Sequence, residues 1–354
     1  MASAKAQQPE RKPLVALTGA TGFIGRHLLK GLTARGYRVR VLLRRPTQMP
    51  DSCASVLIGD IAKPYNMSEA LAEVDAVIHS AGIPRAMTGL PEDDYRLFNT
   101  EATVRFAAAA KRARVKRFLF LSSIRAQSGP SASCVLTEDR EAQPTDAYGR
   151  SKLEAERGVA ETGLDWAALR LALVYGPGAG GNIAKLVKLA RSPYPLPLAG
   201  LRARHSLLAL DNLVEAVDRI LTAPGPLNRP FIVADPAPVT VAEIVRALRQ
   251  GLGRRAGLFY VPPPLLKAAL AAVAPPVDTG PLFNSLVADP AALRTLNWAP
   301  PVATQQGLAA LVRQMSGCPR LGTLLHRIDT APRNTQNFKH FSPDTSYQCR
   351  ILPL

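Results

Sequence analysis

Leu14-Val15-Ala16-Leu17 runs directly into Thr18-Gly19-Ala20-Thr21-Gly22-Phe23-Ile24-Gly25. Four apolar residues after Pro13 read as a buried parallel strand. A helix follows from Gly25 to about Ala34, with Gly36 as its stop, and Arg38-Val39-Arg40-Val41-Leu42-Leu43 reads as a second strand. Strand, glycine turn, helix, strand is the order that builds a dinucleotide cradle, in which a helix N-terminus faces a pyrophosphate. The spacing is GxxGxxG. Gly19 permits the tight turn, Gly22 lets backbone approach the phosphates, and Gly25 lets the helix lie close to the strand. Thr21, Phe23 and Ile24 complete the candidate cradle. A plain glycine-rich turn is the competing reading, and the flanking elements favour the cradle.

The end of the second strand selects the nucleotide. An acid there would bond a ribose 2′-hydroxyl and indicate NAD, whereas this chain has Arg44-Arg45, whose guanidinium groups suit a 2′-phosphate. The expected cofactor is NADP or NAD, with NADP favoured. The alternation continues through Ser55–Ile58, ending in Gly59-Asp60-Ile61, where Asp60 could reach an adenine amino group. It goes on through Asp75–His79, followed by the small residues Ser80-Ala81-Gly82 that would lie against the cofactor. His79 reads as packing. A helix from about Asp93 to Lys111 precedes Phe118–Leu121, a strand ending at Ser122-Ser123. The expected fold is α/β, a Rossmann-type doubly wound parallel sheet with a smaller C-terminal substrate domain.

Tyr148 and Lys152 lie four residues apart at the start of a helical stretch reaching about Glu161, so they share a face. A cation beside a phenol favours the phenolate, which makes a proton donor and acceptor near neutral pH. Alone, the spacing is equally that of a solvated helix face. A serine pair at the end of a central strand, where ligands sit in open α/β sheets, gives it a context.

GATGFIG, Gly59-Asp60-Ile61, Leu121-Ser122-Ser123, Tyr148-x-x-x-Lys152 and the run from Arg170 through Tyr175 to Gly178 occur in that order. Together they resemble the extended short-chain dehydrogenase/reductases of the NAD-dependent epimerase/dehydratase type, over about residues 13 to 315. The resemblance implies that Tyr148 is the acid/base, that Lys152 lowers its pKa and holds the nicotinamide ribose, and that Ser123 hydrogen-bonds the reacting oxygen, with Ser122 as the fallback. Asn99 matches a common asparagine and reads as structural. The stretches around Ser123 and Tyr148 are similar to a bacterial branch of 4-epimerases and 4-keto reductases handling UDP-linked amino sugars, so the implied partner is a UDP-sugar. Asn182 and Arg204 are the implied substrate contacts near its diphosphate.

The implied reaction is hydride transfer at a sugar C4 alcohol or ketone, as an epimerase or a reductase. One departure bears on it: many nucleotide-sugar epimerases have an asparagine three residues after Arg170, and this chain has Leu173. An NADPH-dependent reductase of a non-sugar ketone, steroid- or flavonol-reductase-like, is the alternative. A catalytically silent nucleotide-binding scaffold is a further one, opposed by the intact Ser123/Tyr148/Lys152 set.

The expected organisation is an N-terminal extension at 1–12, a nucleotide-binding domain at 13–172, an interleaved substrate region at 173–315, and a disordered tail at 316–354. A net charge of +17 admits anionic ligands, but no nucleic-acid signature accompanies it, and an Arg-rich solvated surface is the simpler reading. No apolar run suits a bilayer span, the first residues lack a leader's apolar stretch, and the four cysteines have no metal spacing. A cytoplasmic protein without metal or nucleic-acid partner is expected, its assembly as a homodimer left open.

Overall fold

The structure is a computed structural model that describes residues 12–50, 53–63, 66–84, 90–273 and 279–316. The expected N-terminal extension, apart from Lys12, and all but the first residue of the expected tail lie outside the described residues.

Six strands open the fold: β1 (Leu14–Thr18), β2 (Arg38–Leu43), β3 (Ala54–Leu57), β4 (Ala76–His79), β5 (Arg117–Ser123) and β6 (Asp165–Leu171). Three shorter ones follow, β7 (Leu173–Tyr175), β8 (Arg204–His205) and β9 (Leu207–Ala209), then β10 (Arg229–Val233) and β11 (Val239–Thr240). The main sheet has the order β10-β6-β5-β4-β1-β2-β3, all parallel. The order reverses between β1 and β4, which opens a crevice beyond their carboxyl ends. β10, from the region expected on the substrate side, lies in this sheet beside β6.

Alternation along each strand divides the core in two. Val15, Leu17, Leu119 and Leu121 face α1 (Phe23–Ala34), and Ala16, Phe118 and Phe120 face the opposite layer. That layer begins with a helix made of α2 (Glu92–Tyr95), a π-helical turn (Arg96–Glu101) and α3 (Ala102–Arg112). α4 (Ala147–Glu161) packs beside it. α6 (Leu210–Thr222) lies against α1, and a Cβ on Gly31 would stand 2.7 Å from the Val214 side chain. α5 (Gly181–Arg191) packs on α7 (Val241–Gly251), at whose start Thr240 and Glu243 form a capping box. The remaining helices are α8 (Pro263–Val273), α9 (Gly280–Phe283), α10 (Ala291–Arg294) and α11 (Thr304–Ser316).

The arginines are not all solvated, contrary to the composition-based expectation. Arg117, Arg125, Arg170 and Arg249 are each at most 9% exposed. Arg249 donates to the carbonyls of Ala190, Ser192, Tyr194, Ala256 and Gly257, and Arg117 to those of Ile220, Ala223 and Gly225. Five donors in a rigid fork suit a site where several chain ends expose carbonyls together.

A buried polar junction joins β7, α6 and the segment before α11. Asn212 Nδ2 donates to Asp235 Oδ1 at 2.7 Å and to Val302 O at 2.8 Å, while its Oδ1 accepts from Val302 N at 2.9 Å. Tyr175 Oη donates to Asp235 Oδ2 at 3.1 Å. Burial raises the Asp235 carboxyl, and these donors oppose that shift. Replacing Asn212 by leucine would leave the carboxylate and both Val302 backbone groups short of partners in a dry site. Asn212→Leu is expected to cost about 3 kcal/mol in a urea melt; a loss below about 1 kcal/mol would show that the junction is dispensable.

Candidate active site

Local geometry at the first loop follows from its glycines. Gly19 has φ 70°, in the left-handed region, and a Cβ there would stand 2.8 Å from Ala81 N. A Cβ on Gly25 would collide with the Gly19 carbonyl. The turn therefore lies flat between the start of α1 and the chain leaving β4. Gly22 caps α1 in an extended conformation with no side-chain bond, and the first turn, which carries Phe23, Ile24 and Gly25, contains no acid. The helix's first amides and its positive dipole end are left for an anion.

A chain of hydrogen bonds fixes the opposite wall. Thr103 Oγ1 donates to Asn99 O at 2.6 Å, so it accepts from His79 Nε2 at 3.0 Å. His79 Nδ1 then accepts from Thr18 Oγ1 at 2.8 Å, and Thr18 Oγ1 accepts from Ser80 N and Ala81 N. Burial, with the Lys152 charge adding to it, pushes the His79 imidazole down to about 3, so it is neutral and serves as a fixed strut. The packing role read from the sequence becomes a positioning one.

Between these walls lies a cleft of about 390 Å³. Gly19, Thr21, Gly22, Arg44, Arg45, Asp60, Ile61, Ser80, Ala81 and Gly82 line it, as expected from the sequence. Leu42, Thr47, Ile83 and Phe98 also line it, and sequence reading missed them because their types are ordinary in strands and loops. A backbone cradle, an uncapped helix N-terminus, small residues on the far wall and two arginines at the mouth fit a dinucleotide.

Next to this wall, α4 is pinned to the end of β5. Asp146 caps α4 by accepting from Gly149 N at 2.8 Å and receives Arg125 Nη2 at 2.5 Å. A Cβ on Gly149 would collide with Arg125 O, so only glycine lets the first turn of α4 touch the turn after Ser123. Among the described residues, Arg125 Nε and Nη1 are buried without a hydrogen-bond partner. Lys152 Nζ donates to Leu121 O at 3.0 Å and sits 4.5 Å over the Phe120 ring. A Cβ on Gly82 would stand 3.5 Å from Lys152 Nζ and 2.8 Å from Asn99 Oδ1, so the ammonium lies at the cleft wall. Burial pushes Lys152 down to about 8, with Glu156 opposing.

Tyr148, half-buried, sits four residues ahead of Lys152 on α4, with its ring edge-on to Tyr95 at 6.1 Å. Ser123 Oγ accepts from Arg125 N at 3.2 Å. Ser122 points to the other side of the sheet. Its Oγ donates to Glu156 Oε1 at 2.5 Å, within the buried pair that Glu156 forms with Arg170. That removes it as the fallback. Asn99, fully buried in the π-helical turn, bonds both backbone groups of Ile83 and also Ser151 Oγ, bracing the cleft wall against α4. Asn182 and Arg204 are elsewhere. Asn182 is exposed in the first turn of α5, and Arg204 Nη1 donates to Pro238 O at 2.9 Å on an exposed edge. Neither lines the cleft.

Known proteins resemble this chain in sequence and in fold. UDP-glucose 4-epimerase of Vibrio cholerae is 32% identical over 83% of this chain and 92% of its own length. Ceramide reductase of Caulobacter vibrioides is 29% identical over 75% and 78%. The structure of MoeE5 in complex with UDP-glucuronic acid and NAD superposes with a TM-score of 0.68 at 25% identity, covering 86% of this chain and 99% of that one. Residues 15–234 match the NAD dependent epimerase/dehydratase family, and the chain is an enzyme of that family.

Proposed function

We infer that this enzyme is an NAD(P)-dependent nucleotide-sugar epimerase or reductase working at a sugar C4 alcohol or ketone, with a UDP-sugar as substrate. The observation that carries this reading is the Lys152 ammonium at the Gly82 wall, with Ser123 and Tyr148 on the two elements it joins. A bound nicotinamide supplies the hydride acceptor and donor at the reacting carbon. Tyr148 takes the hydroxyl proton as the carbinol is oxidised and returns it as the ketone is reduced. Lys152 provides the cation that favours the phenolate. Ser123 Oγ accepts from the backbone, which leaves its hydrogen to donate to the reacting oxygen. Residues 173–315 form the substrate side. Asn182 and Arg204 reach a diphosphate only if their segments close over it.

Arg44 and Arg45 at the cleft favour NADP(H) and with it the reductase mode, and the likeness to the Vibrio epimerase supports the epimerase mode. Leu173 favours a second reading. It is 41% exposed at the start of β7, and an apolar side chain there suits a non-sugar ketone; the likeness to ceramide reductase supports this.

UDP-glucose and UDP-N-acetylglucosamine, followed by NMR with and without NADPH, separate these readings. Isomer interconversion without net cofactor consumption is expected of the epimerase, and failure to bind any UDP-sugar would remove both sugar readings. Tyr148→Phe is expected to lower kcat on the order of 10²- to 10⁴-fold with KM little changed. Turnover within a few-fold of wild type would end the acid/base assignment. Arg44→Ser with Arg45→Ser should weaken NADPH roughly tenfold or more while sparing NADH, as measured by fluorescence titration.

Lys152 also predicts a pH effect. Between about pH 8 and its ordinary value of 10.5, folded Lys152 binds fewer protons than the unfolded chain, so stability rises with pH across that window. Below pH 8 the buried cation costs up to about 3 kcal/mol. The cofactor-free Lys152→Met variant is expected to gain Tm relative to wild type at pH 7, the gap closing toward pH 10. A gap that does not change between those pH values would exclude a desolvated ammonium.

A further inference from the structure

Residues 181–205 and 244–273 hold five Lys and Arg each and not one Asp or Glu. None of the ten forms a salt bridge among the described residues. Apart from the buried Arg249, all are exposed. The two segments are one surface in space. α5 packs on α7, Leu196 N donates to Gly257 O at 2.9 Å, and Phe259 N donates to Leu196 O at 3.0 Å. Arg249 ties Tyr194 O to Ala256 O from beneath. A Cβ on Gly200 would stand 3.3 Å from the Tyr260 ring.

The same surface exposes apolar groups that a globular protein ordinarily covers. Tyr194 is 73% exposed, Tyr260 63% and Phe259 46%. The chain then enters α8, where Leu266 is buried but Leu265 is 64% exposed and Ala268, Ala269, Ala271 and Ala272 all face solvent. Lys267 is the only charge on this helix.

An exposed apolar helix, flanking aromatics and a field of exposed cations meet the requirements of one kind of partner. We propose that this face docks the enzyme on an anionic phospholipid bilayer, with α8 lying in the plane of the interface. The aromatic rings suit headgroup depth, the leucine and alanines suit the acyl boundary, and the cations face anionic headgroups. A second copy of the chain would bring the same cations face to face and be repelled. A nucleic acid would engage the cations and stack on the rings but give α8 no apolar environment.

The test is vesicle flotation of the full chain with phosphatidylcholine alone and with about 30 mol% phosphatidylglycerol added. Binding is expected only to the anionic vesicles and should fall as NaCl rises from about 0.1 M to about 0.5 M. The triple variant Arg202→Gln, Arg255→Gln, Lys267→Gln should partition on the order of 100-fold more weakly. Tyr260→Ser with Leu265→Ser should weaken partitioning at least roughly tenfold, with Tm and NADPH binding retained. Leu265→Trp should shift its fluorescence to the blue on adding anionic vesicles. No flotation with anionic vesicles, flotation indifferent to the Tyr260/Leu265 pair, or gel-shift binding to an RNA oligonucleotide without vesicle binding would each overturn the proposal.

Discussion

The candidate site depends on an ammonium held inside the protein against a strand end. Lys152 is 6% exposed, and its ammonium meets the Leu121 carbonyl and the Phe120 ring, with the Glu156 charge favouring its charged form. Such a position is unfavourable in isolation, because burial disfavours the charged form. It persists because α4 is held from both sides. The Asp146–Arg125 pair and the close approach at Gly149 fix the first turn to the end of β5. Asn99 and Thr100 hold Ser151 from the π-helical turn, and Arg150 grips Glu92 with both ends of its fork. A lysine tolerated in this way is available for chemistry, where the same residue on a solvated helix face would be a fully hydrated cation.

The nucleotide half was legible in the sequence because its function is carried by backbone. Gly19, Gly22 and Gly25 are required by φ and by close approach, and such requirements leave a spacing that survives without knowledge of the fold. β1, β2, β4 and α4 appear within a residue or two of where apolar runs and breakers place them. β6 was harder to see. Its Asp165-Trp166-Ala167-Ala168-Leu169-Arg170-Leu171 carries a buried arginine next to its end, and only the fold reveals that Glu156 pairs with it.

The finer choices in the site rest on facts a linear pattern does not hold. Adjacent serines on a strand point to opposite faces, so Ser122 and Ser123 differ only once α4 and Glu156 are in place. Arg204 is the same kind of case. In sequence it is an arginine in a region associated with phosphates, and in space it bonds the Pro238 carbonyl beside the start of α7. Asn99 shows the converse. Its matching position was visible, but the reason for it, a π-helical turn that aims a buried amide at both Ile83 and Ser151, was not.

Arginine is used in two ways in this chain, and this bears on why the substrate is harder to read than the cofactor. At the nucleotide cleft, Arg44 and Arg45 remain exposed and uncommitted to the fold, and their meaning follows from the strand end they occupy. In the region after β7, Arg249 is consumed in closing five carbonyl ends, as Arg117 of β5 is in closing three. Loss of Arg249 would leave those five carbonyls short of a donor whatever ligand is bound. Charge in that region reports first on how short elements and proline-rich turns satisfy their backbone, and only then on ligands. A substrate contact has to be sought among groups the fold leaves unspent. Leu173, exposed at the start of β7, is one such group.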